Sequence, residues 1–256
     1  MSDNRIKDSD FLLMKNIRLD VEYDGTGFYG WQRQSDVQPT VQGTVEAVLS
    51  RILQENVVVT ASGRTDRGVH ARLQVLNFMT GSLMELSRMS HALNCLLPVT
   101  IRVSGLQVVP PDFHARFSAK EREYRYMLLE TPSALRQRFT GCSHGHLDLA
   151  PMRVSAASLC GVHDFRAFSR EPADRSSFIC NVMICEWFRE NGALVFRIRA
   201  NRFLRSMVRC LVGAMIATGK GLLQPSEIVN ALETGRLSGQ LVPAEPSGLF
   251  LWDVLY

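Results

Sequence analysis

The chain has 256 residues, 46% of them hydrophobic and 21% charged, with a net charge of +4. That length can bury a real core as one large domain or two modest ones, and no apolar run reaches the ~20 residues of a membrane-spanning helix. Cys95, Cys142, Cys160, Cys180, Cys185 and Cys210 include no C-x-x-C pair. A zinc site or disulfide framework is therefore not expected, and free thiols in a reducing cytoplasm fit better.

Met1 to Asp10 are polar and mixed in charge with no apolar stretch preceded by positive charge, which predicts no signal peptide and a flexible extension over 1–15. Residues 17–23 alternate apolar and polar side chains, the pattern of a half-buried strand. A loop rich in Gly, Gln and aromatics follows over 24–38. Thr40 can cap a helix over 40–54, with Val41, Val45, Val48, Leu49 and Ile52 on one face. Strands are predicted near 57–62, 72–80 and 100–109, and a helix near 84–95. Pro110-Pro111 breaks the pattern and predicts a boundary between halves at 16–111 and 112–256.

The second half begins with a strand over 122–130 and a helix over 151–160. A hairpin of 178–190 and 193–200 is turned at Asn191-Gly192. A long helix over 202–218, a shorter one over 225–234 and a strand over 247–255 complete the chain. Two successive mixed units with hairpins predict an α+β fold rather than a doubly wound parallel sheet.

Two glycine motifs are set aside. Gly25-Thr26-Gly27-Phe28-Tyr29-Gly30 matches G-x-G-x-x-G after a strand, but Trp31 to Asp36 separate it from the next helix, so no nucleotide cofactor is expected. Gly219-Lys220-Gly221 ends a helix instead of opening one and lacks the Ser or Thr of a phosphate loop. His144-Gly145-His146 with Asp148 reads as a surface turn rather than a metal site.

Four stretches point to chemistry. In Gly63-Arg64-Thr65-Asp66-Arg67-Gly68-Val69-His70-Ala71 a single carboxylate sits between two arginines on a glycine-bounded turn, after the apolar run 57–60. Flanking cations favour the ionised acid that a nucleophile requires. Between Glu190 and Glu227 there is no acidic residue, while Arg197, Arg199, Arg202, Arg205, Arg209 and Lys220 fall there, a charge field suited to phosphates. Within the helix predicted over 202–218, Arg202, Arg205 and Arg209 form one stripe, opposite Phe203, Met207, Cys210, Leu211 and Ala214. The competing reading of that stripe is a solvated face; lacking acids nearby in sequence, the arginines want a phosphate or a distant carboxylate such as Asp66. Tyr124 and Tyr126 share one strand face among Arg116, Arg122 and Arg125, which suits base stacking or, alternatively, core packing. The aromatic, glycine-rich loop 23–34 suits close approach to a nucleic-acid backbone, or is a turn with aromatic lids.

Taken in order, these motifs resemble the TruA-type tRNA pseudouridine synthases. The resemblance runs from about Lys15 to Tyr256 through Tyr23-Asp24-Gly25-Thr26, Gly30-Trp31-Gln32, Thr40-Val41-Gln42-Gly43, Gly63-Arg64-Thr65-Asp66 and Gly68-Val69-His70-Ala71. It continues through Phe113-His114-Ala115-Arg116-Phe117-Ser118, Tyr124-Arg125-Tyr126, His163-Asp164-Phe165, Met207-Val208-Arg209 and Gly248-Leu249-Phe250-Leu251.

The resemblance implies two similar α/β halves whose mixed, mostly antiparallel sheets join into one, with helices on one side and a basic cleft between the halves. It implies isomerisation of uridine to pseudouridine at positions 38 to 40 of the tRNA anticodon stem-loop, by base flipping, without cofactor or metal, in a cytoplasmic homodimer. Asp66 would be the catalytic aspartate, acting by attack on C1′ or by a glycal route. Arg64 would enter the RNA where the base leaves, Tyr124 would pack on the flipped uracil, and Arg209 would pair with Asp66. Gln32, Arg67, His70, Arg116, Arg202 and Arg205 would contact RNA. The chain departs from the family pattern at Arg67, where a small residue is usual, at Cys180, where a base is usual and a backbone contact is thereby expected to be lost, and at Cys210, where asparagine is common.

Overall fold

The computed structural model describes residues 14–34, 38–170, 177–237 and 241–256. The extension expected over 1–15 lies outside them except for its last two residues, and Lys15 already belongs to the first strand. The described residues form an α+β structure around one ten-stranded, mostly antiparallel sheet. In chain order the elements are β1 (Lys15–Tyr23), α1 (Val41–Leu53), β2 (Thr60–Ala61), β3 (His70–Thr80), α2 (Leu86–Leu96), β4 (Ile101–Val109) and β5 (Glu121–Leu129). They continue with β6 (Gly141–Cys142), α3 (Leu149–Ser158), β7 (Gly161–Asp164), β8 (Ile179–Glu190), β9 (Ala193–Ala200), α4 (Met207–Gly219), α5 (Pro225–Thr234) and β10 (Leu249–Leu255).

Local chemistry explains most of these elements. Thr40 caps α1, its hydroxyl accepting from the Gly43 amide at 3.3 Å. Asn191 and Gly192 both take positive φ, 49° and 72°, as a tight turn between β8 and β9 requires. Gly219 is the last residue of α4 and Gly221 follows with φ 71°, a glycine helix stop.

Two predicted elements change. The strand expected over 57–62 shrinks to β2, because the Val57 and Val59 amides donate to Ser50 Oγ and Glu46 Oε1 of α1 instead of to a strand. The helix expected over 202–218 begins only at Met207, since Ser206 adopts a left-handed conformation with φ 57°. Arg202 and Arg205 therefore precede the helix, and the three-arginine stripe does not exist. Phe203 likewise leaves the predicted helix face and packs edge-on against Tyr124, ring centres 4.9 Å apart.

The sheet runs β4-β1-β3-β10-β5-β9-β8-β7, with β2 beside β3 and β6 beside β5. The last strand thus sits in the middle. It pairs in parallel with β3 at Phe250↔His70 and Leu251↔Ala71, and antiparallel with β5 through Leu249↔Tyr126, Phe250↔Arg125 and Leu251↔Tyr124. α1 packs on α2, while α3 packs on α4, α5 and β8. Their apolar faces and the sheet share one buried cluster that includes Leu19, Leu76, Phe196, Met215 and Leu251. No helix among the described residues is long and apolar enough to cross a membrane.

Because Leu251 is fully buried at the strand joining β3 to β5, Leu251→Ala is expected to lower stability by about 2–5 kcal/mol. Urea unfolding of the variant beside the wild-type protein measures that difference.

Candidate active site

Asp66 lies in the turn between β2 and β3, and neighbouring segments clasp that turn by its backbone. The Trp31 amide donates to Thr65 O at 3.0 Å, the Gly68 amide to Phe28 O at 3.4 Å, and the Val69 amide to Asp66 O at 3.1 Å. The hydroxyls of Tyr23 and Thr65 lie 2.8 Å apart, and Gln74 Nε2 donates to Gly63 O at 2.8 Å.

Gly25 and Gly30 of the 25–30 motif serve this clasp. A Cβ on Gly25 would lie 2.0 Å from Val69 O, and one on Gly30, where φ is 92°, would lie 2.9 Å from Thr65 O. They allow the loop to approach the protein's own acid turn. Its aromatics are partly structural too: Phe28 and Trp31 are buried, and Tyr29 lies under the Arg67 guanidinium at 4.1 Å.

Arg122 pins the other side of the turn. It is 9% exposed and donates to the carbonyls of Ser62 (3.0 Å), Ala119 (3.0 Å), Asn201 (3.0 Å) and Arg116. Burial pulls its guanidinium pKa down, as a charge deprived of water requires. Four carbonyl dipoles from three loops offset that cost.

The carboxylate itself is partly accessible, its side chain 28% exposed. Oδ2 accepts from Ser206 Oγ at 2.8 Å and from Arg209 Nη1 at 3.3 Å. Arg209 is anchored in turn by Nε donating to Ala244 O at 2.8 Å. Arg64 and Arg67, the arginines adjacent in sequence, are both exposed.

Tyr124 is 7% exposed in β5. Desolvation, with the nearby Tyr23 and Asp66, pushes its phenol pKa up, so it remains protonated. Beside Arg209 opens a cavity of about 450 Å³ lined by Arg67, Gly68, Arg138 and Ser247.

The remaining predicted residues divide. Arg116 and Arg205 are exposed, and Gln32 and Arg202 are half-buried. His70 is corrected: at 1% exposure it cannot meet RNA from its present position. Its ring stacks on Phe250 with centres 4.8 Å apart, and its Nδ1 accepts the Gly25 amide at 3.1 Å, so it braces the clasp.

Part of the predicted basic field is neutralised within the sheet. Arg197 meets Glu123 at 2.9 Å and Glu186 at 3.2 Å, and Arg199 meets Glu121 at 3.5 Å. Their partners lie far away in sequence or across a hairpin, which the gap in acids between 190 and 227 conceals. Cys180 and Cys210 are both buried. His144 and Gly145 form a turn with positive φ, and His146 Nδ1 pairs with Glu130 at 3.0 Å. Among the described residues no cluster of His, Cys, Asp and Glu is placed to hold a metal ion.

Sequence reasoning missed Ser206 as a site residue, and it grouped Arg122 with the tyrosines without finding its buried role at the turn. An arginine on a buried strand face was a visible signal for the second. A serine before an apolar helix reads only as a cap, and nothing in the sequence reveals that its hydroxyl turns elsewhere.

Residues 21–118 and 155–256 match a family model described as tRNA pseudouridine synthase. The chain is 65% identical over 243 residues to a tRNA pseudouridine synthase A of Chlorobium limicola, covering 95% of this chain and 100% of that protein. It is 58% identical over 243 residues to the protein of that name in Pelodictyon phaeoclathratiforme, again 95% and 100% covered. A more distant tRNA pseudouridine synthase A, from Acetivibrio thermocellus, is 38% identical over 248 residues, with 95% of this chain and 100% of that protein covered.

Two outcomes test the clasp. Gly25→Ala forces a Cβ against Val69 O and is expected to destabilise the protein by about 1–3 kcal/mol in chemical unfolding. Burial, against the opposing charge of Asp24, lowers the His70 pKa below its ordinary 6.5. The unfolded chain then binds the proton more readily, so stability is full above about pH 6.5 and is lost as pH falls below it. Thermal unfolding from pH 8 to pH 5 should show that loss in the wild-type protein and a shallower one in His70→Gln.

Proposed function

The chain belongs to the tRNA pseudouridine synthase family, and on that premise we propose that it isomerises uridine to pseudouridine at positions 38 to 40 of the tRNA anticodon stem-loop, with Asp66 as the catalytic carboxylate. The observation that carries this reading is the partly exposed Asp66, clasped by its backbone and, among the described residues, bonded through Oδ2 alone to Ser206 and Arg209. A carboxylate so held has its second oxygen free for a sugar carbon or proton.

The reaction breaks the N1–C1′ bond, turns the uracil, and joins C5 to C1′. C5 gives up a proton and N1 gains one, so substrate and product contain the same atoms and no co-reactant is consumed. The reacting carbon is hidden in a stacked stem-loop, and extruding the nucleotide costs on the order of a few kcal/mol. Arg64, exposed on the acid turn, fills the gap that the base leaves. Asp66 Oδ1 then acts at the ribose, as nucleophile at C1′ or as base in a glycal route; either use requires one acid, unlike the carboxylate pair of a glycosidase. Tyr124, in β5 beside the acid turn, offers its ring to the uracil.

The anticodon arm is gripped by charge. Arg67 beside the cavity and Arg116, Arg202 and Arg205 on the flanking loops meet phosphates, and Gln32 adds a polar contact. The enzyme works in the cytoplasm as a homodimer, each tRNA held across both subunits, and the family resemblance supports that assembly.

Asp66→Asn keeps the shape of the site but removes its charge. It is expected to reduce single-turnover product formation by at least on the order of 10²–10⁴-fold while tRNA binding stays near wild type; sustained turnover would remove Asp66 from its role. Arg116→Ala and Arg205→Ala should each weaken tRNA binding and lower the slope of log affinity against log salt by about 0.7–0.9. An unchanged slope would mark that arginine as a solvated surface charge.

A further inference from the structure

Ser206 departs from what a helix-capping serine does. Such a residue normally has extended backbone, and its hydroxyl accepts from an amide of the first turn. Ser206 stands before α4 with φ 57° and ψ 7°, and its side chain makes no cap bond. A side chain in that left-handed region is strained unless the surroundings hold it there, and such strain tends to gather at functional sites.

The surroundings do hold it. The Met207 amide donates to Leu204 O at 3.1 Å, the Cys210 amide to Ser206 O at 3.0 Å, and the Arg170 amide to Arg205 O at 3.1 Å. Phe203, three residues earlier, is wedged against Tyr124. The strained turn aims the hydroxyl away from its own helix and at Asp66 Oδ2, 2.8 Å away and 140 residues distant in sequence.

Arg209, three residues further on, reaches the same oxygen at 3.3 Å. Rotation about the Cβ–Cγ bond would carry Oδ2 away from its donors, so two donors converging on Oδ2 from one helix start restrain the plane more firmly than either alone, and neither occupies Oδ1. The two are not equivalent. Arg209 is a cation that lines the basic cavity, where an RNA phosphate would compete for it, whereas a neutral hydroxyl attracts a phosphate far less strongly than a guanidinium does.

We infer that Ser206 is a positioning residue of the isomerase, whose hydroxyl holds the plane of the Asp66 carboxylate so that Oδ1 meets the ribose when tRNA is bound. The inference rests on the reading of Asp66 as the catalytic acid.

Two variants of the full chain separate orientation from stability. Ser206→Gly removes the hydroxyl and suits the positive φ; Ser206→Thr keeps a hydroxyl but puts a β-branched residue in a conformation it resists. With unmodified tRNA at saturation, Ser206→Gly is expected to slow single turnover roughly ten- to a hundredfold, the effect of losing a hydrogen bond to a charged group. Its tRNA affinity should be unchanged and its Tm equal to or above wild type. Ser206→Thr should keep a rate within a few-fold of wild type while its Tm falls. Activity would then follow the hydroxyl, against the direction of stability.

A wild-type rate in Ser206→Gly overturns the inference, and so do rates that fall in step with Tm in both variants. Asp66→Asn run beside them distinguishes the two levels. If it turns over, the reading of Asp66 fails; if it is inactive while Ser206→Gly runs at full rate, only the role of Ser206 fails.

Discussion

Two residues of the last strand determine where everything in the site stands. Leu251 is paired with Ala71 on one side and with Tyr124 on the other, and Phe250 next to it is paired with His70 and Arg125. β10 therefore fixes the exit of the acid turn against the strand that carries the tyrosine. A slip of one residue in either pairing would turn Tyr124 to the opposite face of the sheet, because side chains alternate along a strand. The parallel pairing with β3 covers only two residues, so packing must hold it. Leu251 is fully buried, and the Phe250 ring stacks on His70.

On that frame the acid turn is immobilised from three directions. The 25–31 loop bonds its backbone, Gln74 and Tyr23 hold Gly63 and Thr65 from the strands, and Arg122 gathers the carbonyl of Ser62 together with those of three further loop residues. An unpaired buried guanidinium would be costly; here its donors meet carbonyls in loops that converge on the site. The buried charge thus links the acid turn to the segment leading to Ser206, through Asn201 O. The carboxylate is displayed by a loop, yet the loop has little freedom, which is what an oriented carboxylate needs.

Much of this was legible in the sequence. The 17–23 strand, the Thr40 cap, the Asn191-Gly192 turn and the α5 boundaries follow from local pattern, and they appear where local pattern puts them. The α+β class followed from the order of those elements. What failed was local pattern competing with distant contacts. Arg202, Arg205 and Arg209 have helical spacing, but the chain is left-handed at Ser206, and Phe203 is drawn to Tyr124 instead of lying on α4. His70 stands in a motif beside the acid and reads as a contact residue, but the same strand pairing that orders the site buries it. The G-x-G-x-x-G glycines read as an approach to a ligand, and the backbone they approach is Thr65 to Val69. The Arg197–Glu123 and Asp66–Ser206 pairs join residues so far apart in sequence that only the folded chain reveals them.

We propose that this clasped acid serves uridine isomerisation in the tRNA anticodon arm. The most direct test of that proposal is mapping pseudouridine, nucleotide by nucleotide, in total tRNA from cells with and without this protein. Pseudouridine at positions 38 to 40 should be present with the protein and replaced by uridine without it, while other pseudouridines are unchanged. Identical maps at those positions, in cells shown to lack the protein, would contradict it.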